Sequence, residues 1–160
     1  MSGKIQVYYG EGRGKSTAAL GTAIREASIG KSVIFIQFLK GKNWTNLEFM
    51  ERLEPEIRFF RFEKALEYFE YLSEEEKIEE KKNIINGFHY AKKVLSTGEC
   101  DVVVLDEVLG LVDAGIITGV DVDDLLATKA DQVDVIMTGR VLREEFRLHA
   151  DEIYAISSEK

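Results

Sequence analysis

The chain has 160 residues, 45% of them hydrophobic and 31% charged, and it carries a formal net charge of −8. This composition predicts a single globular domain, residues 1–160, and the negative charge argues against nucleic acid and anionic membranes as partners. A lone cysteine excludes an internal disulfide. Since no apolar run has the length of a membrane span or of a signal peptide, we expect a cytoplasmic location.

Apolar residues recur along the chain in patterns typical of strands that alternate with helices. In chain order the patterns predict strand 4–9, helix 15–28, strand 32–38, helix 47–53, strand 57–62, helix 73–96, strand 101–105, helix 108–114, helix 121–129, strand 133–137, helix 142–149 and strand 152–156. Such alternation predicts a mostly parallel sheet with helices on both faces, which is a three-layer α/β fold.

Two helix starts carry capping signals. Ser73, with Glu76 three residues later, predicts a capping box at the start of helix 73–96. Asp121 is expected to cap the helix that follows it. The apolar stripe expected along helix 73–96 consists of Ile78, Ile85, Phe88, Ala91, Val94 and Leu95.

Two other patterns concern surfaces. The acidic block 63–80 is interpreted as a solvated helix face, and a docking surface for a basic partner is the alternative. Trp44, together with Phe38 and Phe49, is interpreted as part of the core, and the edge of a pocket for a flat ligand is the alternative.

A glycine-rich turn lies between strand 4–9 and helix 15–28. Its residues are Gly10, Glu11, Gly12, Arg13, Gly14, Lys15, Ser16 and Thr17. Glycines let several backbone N–H groups face one anion, and the start of the helix adds its positive end. Lys15 supplies a charge for the phosphates, and the Ser16 hydroxyl suits Mg²⁺. We therefore predict that this turn holds the triphosphate of ATP; a glycine turn without a ligand is the alternative.

The turn departs from the usual phosphate-loop pattern in two ways. Tyr9 stands six residues before the lysine, where glycine is usual, so the first glycine is displaced by one position to Gly10. Glu11 places a carboxylate in the turn, which disfavours a triphosphate unless the side chain points away or Arg13 offsets its charge.

An acidic pair follows the apolar run 102–105. Asp106 and Glu107 stand at the carboxyl end of a strand, which places them at the same edge of a parallel sheet as the glycine turn. Both are predicted to hold Mg²⁺ or to position a reacting group, and capping of the next helix by Asp106 is the alternative.

Further polar residues follow two other predicted strands. Arg140 comes after strand 133–137, and Gln37 and Lys40 lie at the end of strand 32–38. All three are therefore expected at the edge that carries the glycine turn. Arg140 is predicted to contact phosphate or ribose, with a surface arginine as the alternative; for Gln37 and Lys40 an ordinary polar strand end is the alternative.

Four blocks of residues, 8–21, 37–41, 103–107 and 136–140, follow one another along nearly the whole chain. In this order they resemble the P-loop type of ATP:corrinoid adenosyltransferase, whose members carry the same displaced glycine. The resemblance implies a P-loop NTPase fold of the RecA-like class. It also places Glu11 where the family often has Asn or Asp.

The resemblance implies a reaction and its participants. ATP, with Mg²⁺, gives its 5′-deoxyadenosyl group to the Co(I) of a corrinoid and releases triphosphate, as a step in the biosynthesis or salvage of adenosylcobalamin. An electron donor such as a flavoprotein would supply Co(I), and a homodimer is expected. A small-molecule kinase or NTPase, and a non-catalytic ATP-binding module, are the alternatives.

The resemblance also implies roles for individual residues. The expected catalytic residues are Lys15, Glu107 and Arg140. The expected metal ligands are Ser16, Asp106 and Glu107, and the nucleotide is expected to contact residues 10–17, Gln37 and Lys40. Leu66 and Tyr68 occupy the places of two aromatic residues that lie near the cobalt face in the family.

Overall fold

The structure is a computed structural model, and it describes residues 2–39 and 46–160. The predictions for Lys40 and Trp44 lie outside these residues. Six strands are present, namely β1 Ile5–Tyr9, β2 Val33–Gln37, β3 Ile57–Arg61, β4 Val102–Asp106, β5 Asp134–Gly139 and β6 Glu152–Ala155. The helices are α1 Lys15–Ser28, α2 Leu47–Met50, α3 Glu74–Thr97, α4 Gly110–Asp113, α5 Gly119–Ala127 and α6 Glu144–Arg147, with 3₁₀ turns at Glu51–Leu53 and Phe69–Tyr71.

The six strands form one sheet in the order β3-β2-β4-β5-β1-β6, and every neighbouring pair is parallel. The carboxyl ends of all strands therefore meet at one edge of the sheet. Strand β5 separates β1, which leads into the glycine turn, from β4, which ends in the acidic pair. The predicted parallel α/β sheet is confirmed, while the extent of a single domain stays a prediction.

Apolar residues pack on both faces of the sheet and give the three layers. Helix α1 covers one face, where Ala19 and Ala23 pack against alternate strand residues such as Phe35 and Val104. The opposite face holds the larger core, whose members include residues of α3, α4 and α5. Cys100 is buried in that core, and burial raises the pKa of its thiol to about 11, which suits packing rather than reaction. No helix among the described residues has the length and apolar character needed to cross a bilayer.

Helix α3 confirms its predicted start but corrects its predicted faces. Ser73 and Glu76 form the expected capping box. Ile78, however, is 61% exposed, because the buried face of α3 begins only at Glu80 and continues through Ile84 and Phe88. The interpretation of the acidic block 63–80 as a solvated helix face is wrong at its two ends, where Glu63 and Glu80 are buried.

Four other elements have boundaries that differ from the predicted ones. Thr118, rather than Asp121, is the N-cap of α5; Asp121 is the third residue of the helix and completes a capping box with Thr118. The predicted helices 108–114 and 142–149 shorten to four residues each. Strand β5 extends two residues beyond its predicted end and includes Thr138 and Gly139, because pairing with β1 continues as far as Gly139.

Candidate active site

A cleft of about 810 Å³ opens at the carboxyl edge of the sheet. This volume is in the range of small-molecule sites. The three residues expected to be catalytic, Lys15, Glu107 and Arg140, all line it. The remaining residues around the cleft are Glu11, Gly12, Leu39, Tyr68, Phe69, Glu70, Lys77, Gly110, Asp113, Ala114 and Val141. The structure thus brings the ends of β1, β4 and β5 together around one space.

The glycine turn, which we call the phosphate turn (residues 10–16), has the backbone that its composition predicts. Gly10, Gly12 and Gly14 have φ values of 142°, 88° and 115°, which residues with a Cβ rarely adopt. Gly14 is the N-cap of α1, a helix of 14 residues. The positive end of that helix therefore faces the turn, an arrangement that favours an anion.

The displaced glycine has a structural reason. Strand β6 runs parallel to β1, and the chain after β6 continues this pairing when the Ile156 N–H donates to the Tyr9 carbonyl over 2.8 Å. A Cβ at Gly10 would overlap the carbonyl oxygen of Ile156. Gly10 also donates its N–H to the Gly139 carbonyl at 3.1 Å. The first glycine is thus required by close packing between two neighbouring chain segments.

Lys15 lies inside the phosphate turn. Its side chain is buried, and its ammonium donates to the Gly12 carbonyl over 3.0 Å. A carbonyl is a weak partner for a full charge compared with a phosphate oxygen. The ammonium is therefore held at the cleft in a position to exchange this carbonyl for a polyanionic ligand.

Asp106 joins the turn to the neighbouring strands. This carboxylate is 0% exposed, and its Oδ1 accepts hydrogen bonds from the Ser16 hydroxyl at 2.8 Å and from the Thr138 hydroxyl at 2.7 Å. The Thr138 hydroxyl in turn accepts from the Glu107 N–H at 2.8 Å. Glu107 has a φ of 63°, a strained value for this residue type, and its side chain lines the cleft. The predicted metal ligands are therefore neighbours.

The role of Thr138 in this cluster was not predicted. The sequence places Thr138 just after the predicted strand, whereas in the structure it is the fifth residue of β5. Alternation along the strand puts Thr138 on the same face as Ile136, the face that α1 covers. A strand prediction two residues longer would have placed it beside Asp106.

Not every predicted nucleotide contact lines the cleft. Gln37 is buried, and its carboxamide oxygen accepts from the Arg61 guanidinium at 2.9 Å. Burial lowers the pKa of Arg61, and the nearby charge of Glu63 opposes that shift. Arg13 and Thr17 are exposed on the turn and on the first turn of α1. Nucleotide contact stays a prediction for all of residues 10–17, Gln37 and Lys40.

A second set of cleft residues, Tyr68, Phe69 and Glu70, comes from the segment between β3 and α3. No element is predicted for this segment, because the pattern of residues 65–72 is ambiguous between strand and helix. Tyr68 lines the cleft, whereas Leu66 is 74% exposed. The Lys77 ammonium of α3 lies 6.0 Å from the centre of the Phe69 ring, within cation–π range.

Comparisons with known proteins agree with this geometry. A solved structure of the flagellar accessory protein FlaH from Methanocaldococcus jannaschii superposes with a TM-score of 0.62 at 21% identity, over 96% of this chain and 71% of that chain. This likeness supports the P-loop NTPase fold of the RecA-like class.

Proteins related in sequence identify the family, which the structural likeness alone does not. The chain is 32% identical to the corrinoid adenosyltransferase of Escherichia coli over 94% of its own length and 74% of the relative. It is 31% identical to corrinoid adenosyltransferase CobA of Salmonella typhimurium over the same shares. The family model described as ATP:corrinoid adenosyltransferase BtuR/CobO/CobP matches residues 1–160. The chain therefore belongs to the ATP:corrinoid adenosyltransferase family.

Proposed function

We propose that this enzyme transfers the 5′-deoxyadenosyl group of ATP to the Co(I) of a corrinoid and releases triphosphate. The electron pair of Co(I) forms the bond to C5′ of the ribose. The C5′–O5′ bond breaks, and its electron pair leaves with the triphosphate oxygen. The observation that carries the proposal is that Lys15, Glu107 and Arg140 line one cleft beside the phosphate turn.

This reaction needs stabilisation of the departing triphosphate rather than activation of water. The Lys15 ammonium lies beside the cleft, and α1 points its positive end toward the phosphate turn, so this region would favour such an anionic leaving group. Donors that are already oriented lower the barrier, because they need no rearrangement as charge develops. Arg140, the residue that follows β5, adds a further cation to the cleft.

The residues present fit a magnesium ion bound to the nucleotide. Mg²⁺ prefers oxygen ligands and is usually held by one or two carboxylates together with phosphates and water. The Ser16 hydroxyl and the Asp106 Oδ1 are 2.8 Å apart, and Glu107, which follows Asp106 in the chain, lines the cleft. These three residues would hold the ion, which would neutralise charge on the triphosphate.

The proposal extends to the setting of the reaction. Co(I) requires a reductant, so the enzyme would work with an electron donor such as a flavoprotein. We further propose a homodimer, a cytoplasmic location, and a role in adenosylcobalamin biosynthesis or salvage, by analogy with the family to which the chain belongs.

An anaerobic assay tests the transfer directly. The protein is incubated with ATP, MgCl₂ and chemically reduced cobalamin or cobinamide, with parallel samples that lack ATP or protein. The visible spectrum should change to that of the adenosylated corrinoid, with one triphosphate released for each corrinoid consumed. Release of ADP instead would indicate a kinase or NTPase. Nucleotide binding without turnover of any corrinoid would indicate a binding module.

A further inference from the structure

Glu80 is a buried carboxylate with an unusually complete set of partners. It lies in α3, is 5% exposed, and accepts hydrogen bonds on both oxygens. Oε1 accepts from the Lys64 N–H at 2.9 Å, and Oε2 accepts from the Ala65 N–H at 2.6 Å. Asn83, one turn further along α3, donates its side-chain amide to Oε1 at 2.9 Å. Burying a carboxylate is costly unless such bonds are made, so this contact is a specific feature of the fold.

The two N–H groups that Glu80 binds begin the segment that enters the cleft. We call residues 64–70 the cleft wall. Its only regular structure is the start of the 3₁₀ turn Phe69–Tyr71, so it has little backbone hydrogen bonding of its own. The preceding residue is held as well, because the Glu63 carboxylate accepts from the Leu39 N–H at 2.7 Å. The path of the cleft wall is therefore fixed at its start by carboxylates rather than by secondary structure.

The cleft wall enters the cleft from the β3 edge of the sheet, whereas the phosphate turn follows β1, near the other edge. Strand β3 leads into the wall, and four strand spacings separate β3 from β1, which is about 19 Å at the usual spacing. A nucleotide whose triphosphate lies in the turn leaves this side of the cleft for a second ligand. Tyr68 and Phe69 present aromatic surface there, which suits a large flat molecule.

We propose that Glu80 is a positioning residue that fixes the cleft wall for the corrinoid and not for ATP. This inference rests on the proposed function, since it assigns the two sides of one cleft to the two substrates. Glu80 itself does not line the cleft. It acts through the backbone of Lys64 and Ala65, which carries Tyr68 and Phe69 into place.

The test compares two isosteric substitutions on neighbouring residues of α3. In Glu80→Gln one acceptor oxygen becomes an NH₂ group, so one of the two backbone N–H groups loses its partner. Glu79→Gln removes the same charge at a side chain that is 73% exposed. We expect Glu80→Gln to raise the KM for cob(I)alamin by about tenfold, because a displaced wall misplaces the substrate. The Kd for ATP should stay within twofold of that of Glu79→Gln.

A second readout does not depend on turnover. Hydrogen exchange at residues 64–70 should be faster in Glu80→Gln than in Glu79→Gln. If Glu80→Gln folds poorly, Asn83→Ala takes its place, because it removes one hydrogen-bond partner of the Glu80 carboxylate. It should raise the exchange rate at residues 64–70 and the corrinoid KM by less than Glu80→Gln would.

Three outcomes would overturn the proposal. Unchanged exchange at residues 64–70 would show that Glu80 does not hold the cleft wall. An equal loss of ATP affinity and corrinoid KM would show a general structural role. Faster exchange with a normal corrinoid KM would show that the wall does not serve that substrate. If the wild-type protein converts no corrinoid at all, the proposed function fails, and exchange still decides whether Glu80 anchors the wall.

Discussion

The phosphate turn and the cleft wall line the same cleft but are built in different ways. The turn consists of residues 10–16, has three glycines in left-handed conformations, and continues directly into the 14-residue helix α1. The cleft wall, residues 64–70, contains only the beginning of one 3₁₀ turn. It is held by hydrogen bonds from its backbone to Glu80, while the preceding residue, Glu63, bonds to Leu39.

The two segments differ in what determines their conformation: neighbouring residues in the sequence for the turn, and distant residues for the wall. The conformation of the turn follows mainly from glycines and a helix start that are adjacent in the sequence. The position of the wall depends on carboxylates that bond to residues 15 to 24 positions away. Nucleotide binding should therefore tolerate changes in the wall, and corrinoid binding should be the property that such changes alter.

The largest expected effect comes from Lys15→Ala. This change removes the buried ammonium at the turn, and we expect turnover to fall by about 10²- to 10³-fold, as for the loss of other groups that stabilise a leaving charge. The Kd for ATP should rise as well, whereas equilibrium binding of the corrinoid should change little. Calorimetry with ATP and the spectral assay with cobalamin measure the two effects.

Lys82→Ala is the matched control for Lys15→Ala, because its side chain is 70% exposed on α3. It should leave both measurements unchanged. Normal ATP affinity in Lys15→Ala would mean that the triphosphate lies elsewhere. Equal losses of affinity for ATP and for the corrinoid would show that the turn does not serve the nucleotide alone.

The sequence predicted the elements whose causes are local. Alternating strands and helices indicated the parallel sheet, and the acidic pair Asp106–Glu107 was placed correctly at its carboxyl edge. It could not reveal the cleft wall, since the pattern of residues 65–72 is ambiguous between strand and helix and their path depends on Glu80. Ile78 was misplaced for a related reason: an apolar residue at helical spacing is buried only where the helix reaches the core, and α3 reaches it from Glu80 onward.

The phosphate turn itself has one distant cause, and Gly10→Ala tests it. Gly10 has a φ of 142°, and a Cβ there would overlap the carbonyl oxygen of Ile156 near the far end of the chain. We expect the free energy of unfolding to fall by about 2–4 kcal/mol from strain and overlap. Urea denaturation followed by circular dichroism measures the change.

Gly21→Ala is the control for the preceding change, since Gly21 lies within α1 and a Cβ there meets no atom within 4 Å. This substitution should raise the free energy of unfolding by about 0.5–1 kcal/mol, because alanine favours a helix more than glycine does. If Gly10→Ala were as stable as the wild type, the packing of Ile156 would not explain the displaced glycine. The conformation of the turn would then depend only on residues that are adjacent to it in the sequence.

The smallest expected effect is a gain in ATP affinity when Glu11 is changed, because Glu11 is the one residue of the turn whose charge opposes the proposed ligand. Glu11 is exposed and lines the cleft, so its carboxylate shares the cleft with the triphosphate that we propose binds there. Glu11→Gln keeps the shape and removes the charge, and we expect ATP to bind about two- to fivefold more tightly, the range for exposed charge pairs. The gain should shrink as salt rises from 0.1 to 1 M, because the Debye length falls from about 10 to about 3 Å. Weaker binding of Mg-ATP in this variant would instead mean that Glu11 takes part in holding the metal. The carboxylate would then strengthen nucleotide binding through Mg²⁺ rather than weaken it by repelling the triphosphate.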